Sequence, residues 1–148
     1  METEELKGTA RRLVARGKGI LAADESTPTI KKRFDAIQVE STAATRQAYR
    51  ELLFSAEGIE AFISGVILFD ETLRQTAADG TPFPQLLADR GIIPGIKVDR
   101  GAKPMAGFPG EKITEGLDGL GERLAEYRQL GARFAKWRAV ITIAHTLP

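Results

Sequence analysis

Apolar positions along the chain recur with two different periods. From Glu4 to Ala15, Leu6, Ala10, Leu13 and Val14 fall on one helical face. The segment GKGILAADES then turns at Gly17 and Gly19, runs apolar from Ile20 to Ala23 and meets Asp24 abruptly. Ser26 or Thr27, with Pro28 in the first turn, reads as the start of a helix that turns Ile30, Phe34 and Ile37 inward. Ser41 or Thr42 caps a further helix, with Tyr49, Leu52, Leu53 and Ala56 as its expected buried side. Val66 to Phe69 is a short continuous apolar run, the pattern of a strand covered on both faces.

Five of the seven prolines lie between Pro82 and Pro109, so that stretch reads mostly as loop. It is interrupted by GIIPGIKVD, where Ile96 and Val98 alternate with Lys97 and Asp99 at the period of a strand. Leu117, Leu120 and Leu124 give another helical stripe ending near Gly131, and RFAKWRAVITI is the last strand candidate. Four strands separated by helical patterns predict an α/β fold with a parallel sheet. An open doubly wound sheet and part of a (β/α)₈ barrel both fit this order.

Composition narrows the partners. Over 148 residues the net charge is +1, which argues against a nucleic-acid or membrane-surface protein. No apolar run approaches the roughly 20 residues of a membrane span. Cysteine is absent, which removes disulfides and thiolate chemistry and fits a reducing, cytoplasmic setting. The single histidine, His145, argues against a histidine-rich zinc site and carries no assigned role.

Charged residues within strands of a two-sided sheet need a reason. Phe134, Lys136 and Arg138 share one face, Ala135 and Trp137 the other, and Trp137 reads as packing. Lys97 and Asp99 share a face, and Asp24 ends its strand at the carboxyl edge where α/β proteins place ligands. A lysine held in apolar walls or among cations has its pKa lowered and serves as a proton shuttle or a nucleophile toward carbonyls. Arg138 suits an anionic group such as phosphate. The bland readings are a solvent-facing strand end for each lysine, a helix cap for Asp24, and solvated helix faces for Arg33 and Arg46. No glycine-rich nucleotide fingerprint is present. Without any family likeness, the chain would be a doubly wound module holding a phosphorylated ligand at Ser26 to Pro28.

The segments GILAADEST, GVILFDETL, GIKVDRG and GLDGLGERLAEYRQLGARFAKWR, in this order, resemble class I fructose-bisphosphate aldolase, the Schiff-base, metal-independent type. The resemblance implies the first four β/α units of a TIM barrel, one partial domain over 1–148 truncated after its fourth strand. It also implies a glycolytic and gluconeogenic lyase that needs no cofactor. In the family a lysine amine attacks the ketone, and the resulting iminium draws electrons so that the C3–C4 bond breaks to an enamine. By motif, Asp24 resembles the aspartate that orients a lysine and handles protons. Lys97 resembles the third-strand lysine that contacts substrate, and Lys136 the fourth-strand lysine that assists proton transfer. Arg138 lies beside it, and Ser26, Arg33 and Arg46 match positions at or near a substrate phosphate. The family's Schiff-base lysine and a glutamate acid/base belong to its sixth and fifth strands. These residues alone are therefore expected to lack the nucleophile. A non-catalytic half-barrel that binds sugar phosphates is the alternative. Open sheet edges predict self-association or pairing with a complementary aldolase fragment.

Overall fold

The computed structural model describes residues 3–141 and residue 143. Four parallel strands form its sheet: β1 (Gly19–Ala23), β2 (Ile63–Leu68), β3 (Ile93–Lys97) and β6 (Phe134–Lys136), in the order β1-β2-β3-β6. A separate antiparallel hairpin pairs β4 (Ala102–Pro104) with β5 (Lys112–Thr114). The helices are α1 (Thr3–Leu13), α2 (Thr27–Ala36), α3 (Ala43–Phe54), α4 (Asp70–Leu73), α5 (Phe83–Asp89) and α6 (Leu120–Gln129).

Each new strand adds to the same side of the last. A doubly wound sheet would reverse direction at a switch point, so this progression is that of a barrel wall. One face of the wall is the core. Ala23, Val66, Leu68, Ile96 and Val98 are buried there against Phe54, Leu73, Phe83, Leu87 and Tyr127. Phe54 and Phe83 meet edge to face, 5.2 Å apart, the geometry aromatic quadrupoles prefer.

The other face is sparse. The Phe134 ring lies across Gly95, where any Cβ would run into it, and Leu13 reaches to 2.6 Å from a Cβ built on Gly65. Two strand glycines thus make room for side chains from β6 and α1. Ile20, 43 % exposed, and Ala22 stand uncovered on β1.

Several expectations are corrected. The proline-rich stretch holds α5, with Pro84 in its first turn where a missing N–H costs nothing, and contributes Phe83 and Leu87 to the core. β4, one strand of the hairpin, also lies in the stretch expected as loop. On α3 the buried residues are Arg50 and Phe54, while Leu52 faces solvent, as does Ala56 beyond the helix end. Ile37 lies beyond the end of α2 and is exposed. α6 starts at Leu120, so Leu117 stays outside it, and Tyr127 is its buried residue. α1 forms as its periodicity predicts but buries none of its residues. The last strand ends at Lys136, and Val140, Ile141 and Ile143 are exposed. His145 lies outside the described residues.

Candidate active site

At the carboxyl ends of the strands the chain leaves a cleft of about 900 Å³. Asp24, Ser26, Arg33, Lys97, Lys136 and Arg138 all line it. Seven lysines and arginines face five carboxylates around its wall, a surplus of positive charge suited to an anion.

Two ammonium–carboxylate pairs occupy its floor. Lys136, at the end of β6, donates from Nζ to Asp24 Oδ2 at 2.6 Å, joining positions 112 residues apart. Asp24 follows β1, and the helix cap it could have formed is instead the position of Ser26. Lys97, ending β3, donates to Asp99 Oδ1 at 2.6 Å and to the Asp99 carbonyl at 2.7 Å. The Asp99 carboxylate also accepts from the backbone N–H groups of Gly101 at 3.2 Å and Arg138 at 3.3 Å. Burial works to raise its pKa. The hydrogen bond and charge of Lys97, with the two backbone donors, outweigh burial and hold it below the usual carboxylate value. Both lysines therefore rest on carboxylates rather than in apolar walls. The chain thus holds charges of both signs, poised for moving protons, in one partly shielded space.

The rim is built by the start of α2. Ser26 occupies the N-cap position but makes no cap bond. Its hydroxyl meets Thr29 Oγ1 at 3.1 Å, and both residues line the cleft. Pro28 has no N–H and those of Thr29 and Ile30 donate to the Ser26 carbonyl, so the start of α2 offers an anion the positive end of the helix dipole rather than a row of free donors. Arg33, further along α2, donates to Glu25, a carboxylate that also faces Arg50 at 2.8 Å.

Arg46 stands elsewhere. Its guanidinium grips Glu71 in a two-pronged pair at 2.8 and 2.6 Å and donates to the Ser41 carbonyl at 3.0 Å; it does not line the cleft. The Glu71 carboxyl is held low, first by that hydrogen bond and against the opposing effect of burial.

Other cleft residues were missed from sequence. Thr29 sits one turn after Ser26, a spacing that could have signalled a hydroxyl pair. Asp99 shares a strand face with Lys97, a visible sign of pairing. Arg123 of α6 donates to the carbonyls of Val98, at 3.0 Å, and Gly116, stitching the segment after β3 to the helix. Nothing local in the sequence marks it.

A sequence model described as "Fructose-bisphosphate aldolase class-I" matches residues 5–148. The chain is 60% identical over its whole length to a probable fructose-bisphosphate aldolase class 1 of Xanthomonas campestris, of which it covers 44%. It is 57% identical to fructose-bisphosphate aldolase C-B of Danio rerio, covering 41% of that protein. Among solved structures, fructose-bisphosphate aldolase from Plasmodium falciparum, in complex with TRAP and a small-molecule inhibitor, superposes with a TM-score of 0.92 at 57% identity. The match takes in 95% of this chain and 41% of that one. The chain spans less than half the length of these relatives.

Proposed function

Because the chain belongs to the fructose-bisphosphate aldolase class-I family, we propose that its cleft receives a phosphorylated ketose. In this reading its side chains serve the reversible cleavage of fructose 1,6-bisphosphate to dihydroxyacetone phosphate and glyceraldehyde 3-phosphate. The setting is cytoplasmic glycolysis and gluconeogenesis, without metal. The observation that carries the reading is the contact of Lys136 with Asp24, which closes the two ends of the strand order over one cleft shared with Lys97.

The roles follow from chemistry and position. When C3–C4 breaks, the C4 hydroxyl must lose its proton as the electrons move toward the iminium carbon. Asp24 and Lys136, in contact, share one proton-handling pair for the carbinolamine and that hydroxyl. Lys97 faces substrate oxygens and is steadied by Asp99. Ser26, Arg33 and the α2 N-terminus take one phosphate, and Arg138 brings a further cation to the same cleft. Arg46, committed to Glu71, has no contact with substrate in this scheme.

In the family the amine that attacks the ketone belongs to a strand outside the 148 residues described by this sequence, so in this reading these residues serve sugar-phosphate binding and proton handling rather than the attack itself. Further strands, whether later in a longer chain or in another chain, would pair with this wall to complete the barrel. The unpaired backbone edges of β1 and β6 and the uncovered Ile20 support that pairing.

Phosphorus NMR of fructose 1,6-bisphosphate tests this. Its resonances should broaden on adding the chain and stay sharp with Lys97→Met or Arg33→Met. Borohydride reduction in the presence of dihydroxyacetone phosphate should leave the mass of the chain unchanged. A trapped adduct, or sharp resonances with the unaltered chain, would overturn the assignment.

A further inference from the structure

Arg50 is the one arginine of the described residues placed among the largest fully buried side chains, at 2 % exposure. It lies on α3, away from the cleft lining. Its guanidinium faces Glu25 Oε2 at 2.8 Å, donates to the Glu25 carbonyl at 3.2 Å and reaches Thr72 Oγ1 at 3.4 Å. The Tyr49 ring sits beneath it, 5.2 Å from the guanidinium carbon. Burial works to lower its pKa against the raising effect of Glu25, yet an arginine remains charged throughout the range in which proteins fold.

Glu25 is therefore flanked by guanidinium groups on two sides. Arg50 faces it from the interior, and Arg33 meets it at the cleft, where the Glu25 side chain is only 10 % exposed. The charges decide what this does. A carboxylate alone beside Arg33 would cancel the positive charge that the rim offers an anion. A second, buried guanidinium restores the cluster to one net positive charge without adding a group to the cleft. It also sets the carboxylate against a buried cation of α3, so that Arg33 meets an acid backed by the helix layer.

We propose that Arg50 is a positioning and charge-setting residue for the phosphate site. It touches no ligand. It faces Glu25 and offsets its charge, so that Arg33 keeps its guanidinium available to a phosphoryl group. This inference rests on the reading of Arg33 as a phosphate ligand given above.

Calorimetric titration with inorganic phosphate at low ionic strength tests it in the 148-residue chain. Arg50→Met should weaken phosphate binding roughly tenfold, because Glu25 then neutralises Arg33. Arg50→Lys, which keeps the charge, should bind within about threefold of the unaltered chain. Glu25→Gln removes the negative charge and should tighten binding by about threefold or more. The double change Glu25→Gln with Arg50→Met leaves Arg33 as the only charge of the three and should return affinity to within about threefold of the starting value.

A purely structural role makes a different forecast: every variant binds more weakly, and the double change is the weakest. That pattern would overturn the proposal, as would Arg50→Met binding phosphate unchanged. Should Arg50→Met fail to fold, Glu25→Gln decides alone: tighter binding supports the proposal, and equal or weaker binding sinks it. If the unaltered chain takes up no phosphate, the phosphate reading itself fails and this inference falls with it. If Arg33→Met abolishes binding while Arg50→Met and Glu25→Gln leave it unchanged, that reading stands and only the present inference fails.

Discussion

The two faces of the sheet are opposites. The face turned to the helices carries Val66, Leu68, Ile96 and Val98, all buried, and makes no use of charge. The other carries Gly65, Gly95, Lys97 and Lys136, with Ala22 and Ile20 open to solvent. The first face stabilises by removing apolar area from water, an effect of about 25 cal/mol per Å². The second gives up that gain at glycine and lysine positions and holds paired charges instead. Stability and candidate chemistry thus alternate residue by residue along each strand, as the period of two in a strand permits.

The sharpest way to break the contrast is on the buried face. Phe54→Ala removes half of the Phe54–Phe83 contact and should cost about 3–5 kcal/mol, read as a lower urea midpoint. Next is the open face. Lys97→Met leaves the Asp99 carboxylate, side chain 1 % exposed, without its cation and should cost about 1–3 kcal/mol at pH 7.

Asp99 also gives an acid-dependent signature. Its folded pKa lies below the ordinary 3.8. Its contribution to stability is therefore present above about pH 4 and lost as the pH falls through the folded value. Urea unfolding at pH 7 should separate the unaltered chain from Asp99→Asn, and at pH 3 the gap should narrow. A gap that widens in acid would contradict the ion-pair account. The smallest effect is expected at Leu52. It looked like a core position, but it is exposed, so Leu52→Ser should change stability by no more than about 0.5 kcal/mol.

What could be read in advance follows the range of the interactions. The strands were legible because burial on both sides leaves continuous apolar runs such as Val66 to Leu68. Lys97 and Lys136 were legible because a charge inside such a run costs energy unless it is used or paired. Their partners were less so. Asp99 is two residues from Lys97, whereas Asp24 is 112 from Lys136, and only the strand order joins the latter pair. Arg50 carries no signal in the sequence, because its partners, Glu25 and Thr72, lie 25 and 22 residues away. Arg46 was set beside a phosphate by likeness of motif, but Glu71, 25 residues on, takes its guanidinium. α5 was hidden by its prolines, since their density reads as loop although the first turn of a helix accepts one. The stripe on α1 was visible as a helix, but periodicity carries no information on whether a partner surface is there to cover it.

One measurement bears most directly on the central claim that the paired charges form a single anion-receiving cleft. Isothermal titration of the 148-residue chain with fructose 1,6-bisphosphate should give saturable binding that weakens with added salt and is lost in Lys136→Met. Binding that ignores both salt and that substitution, or no binding at all, would contradict it.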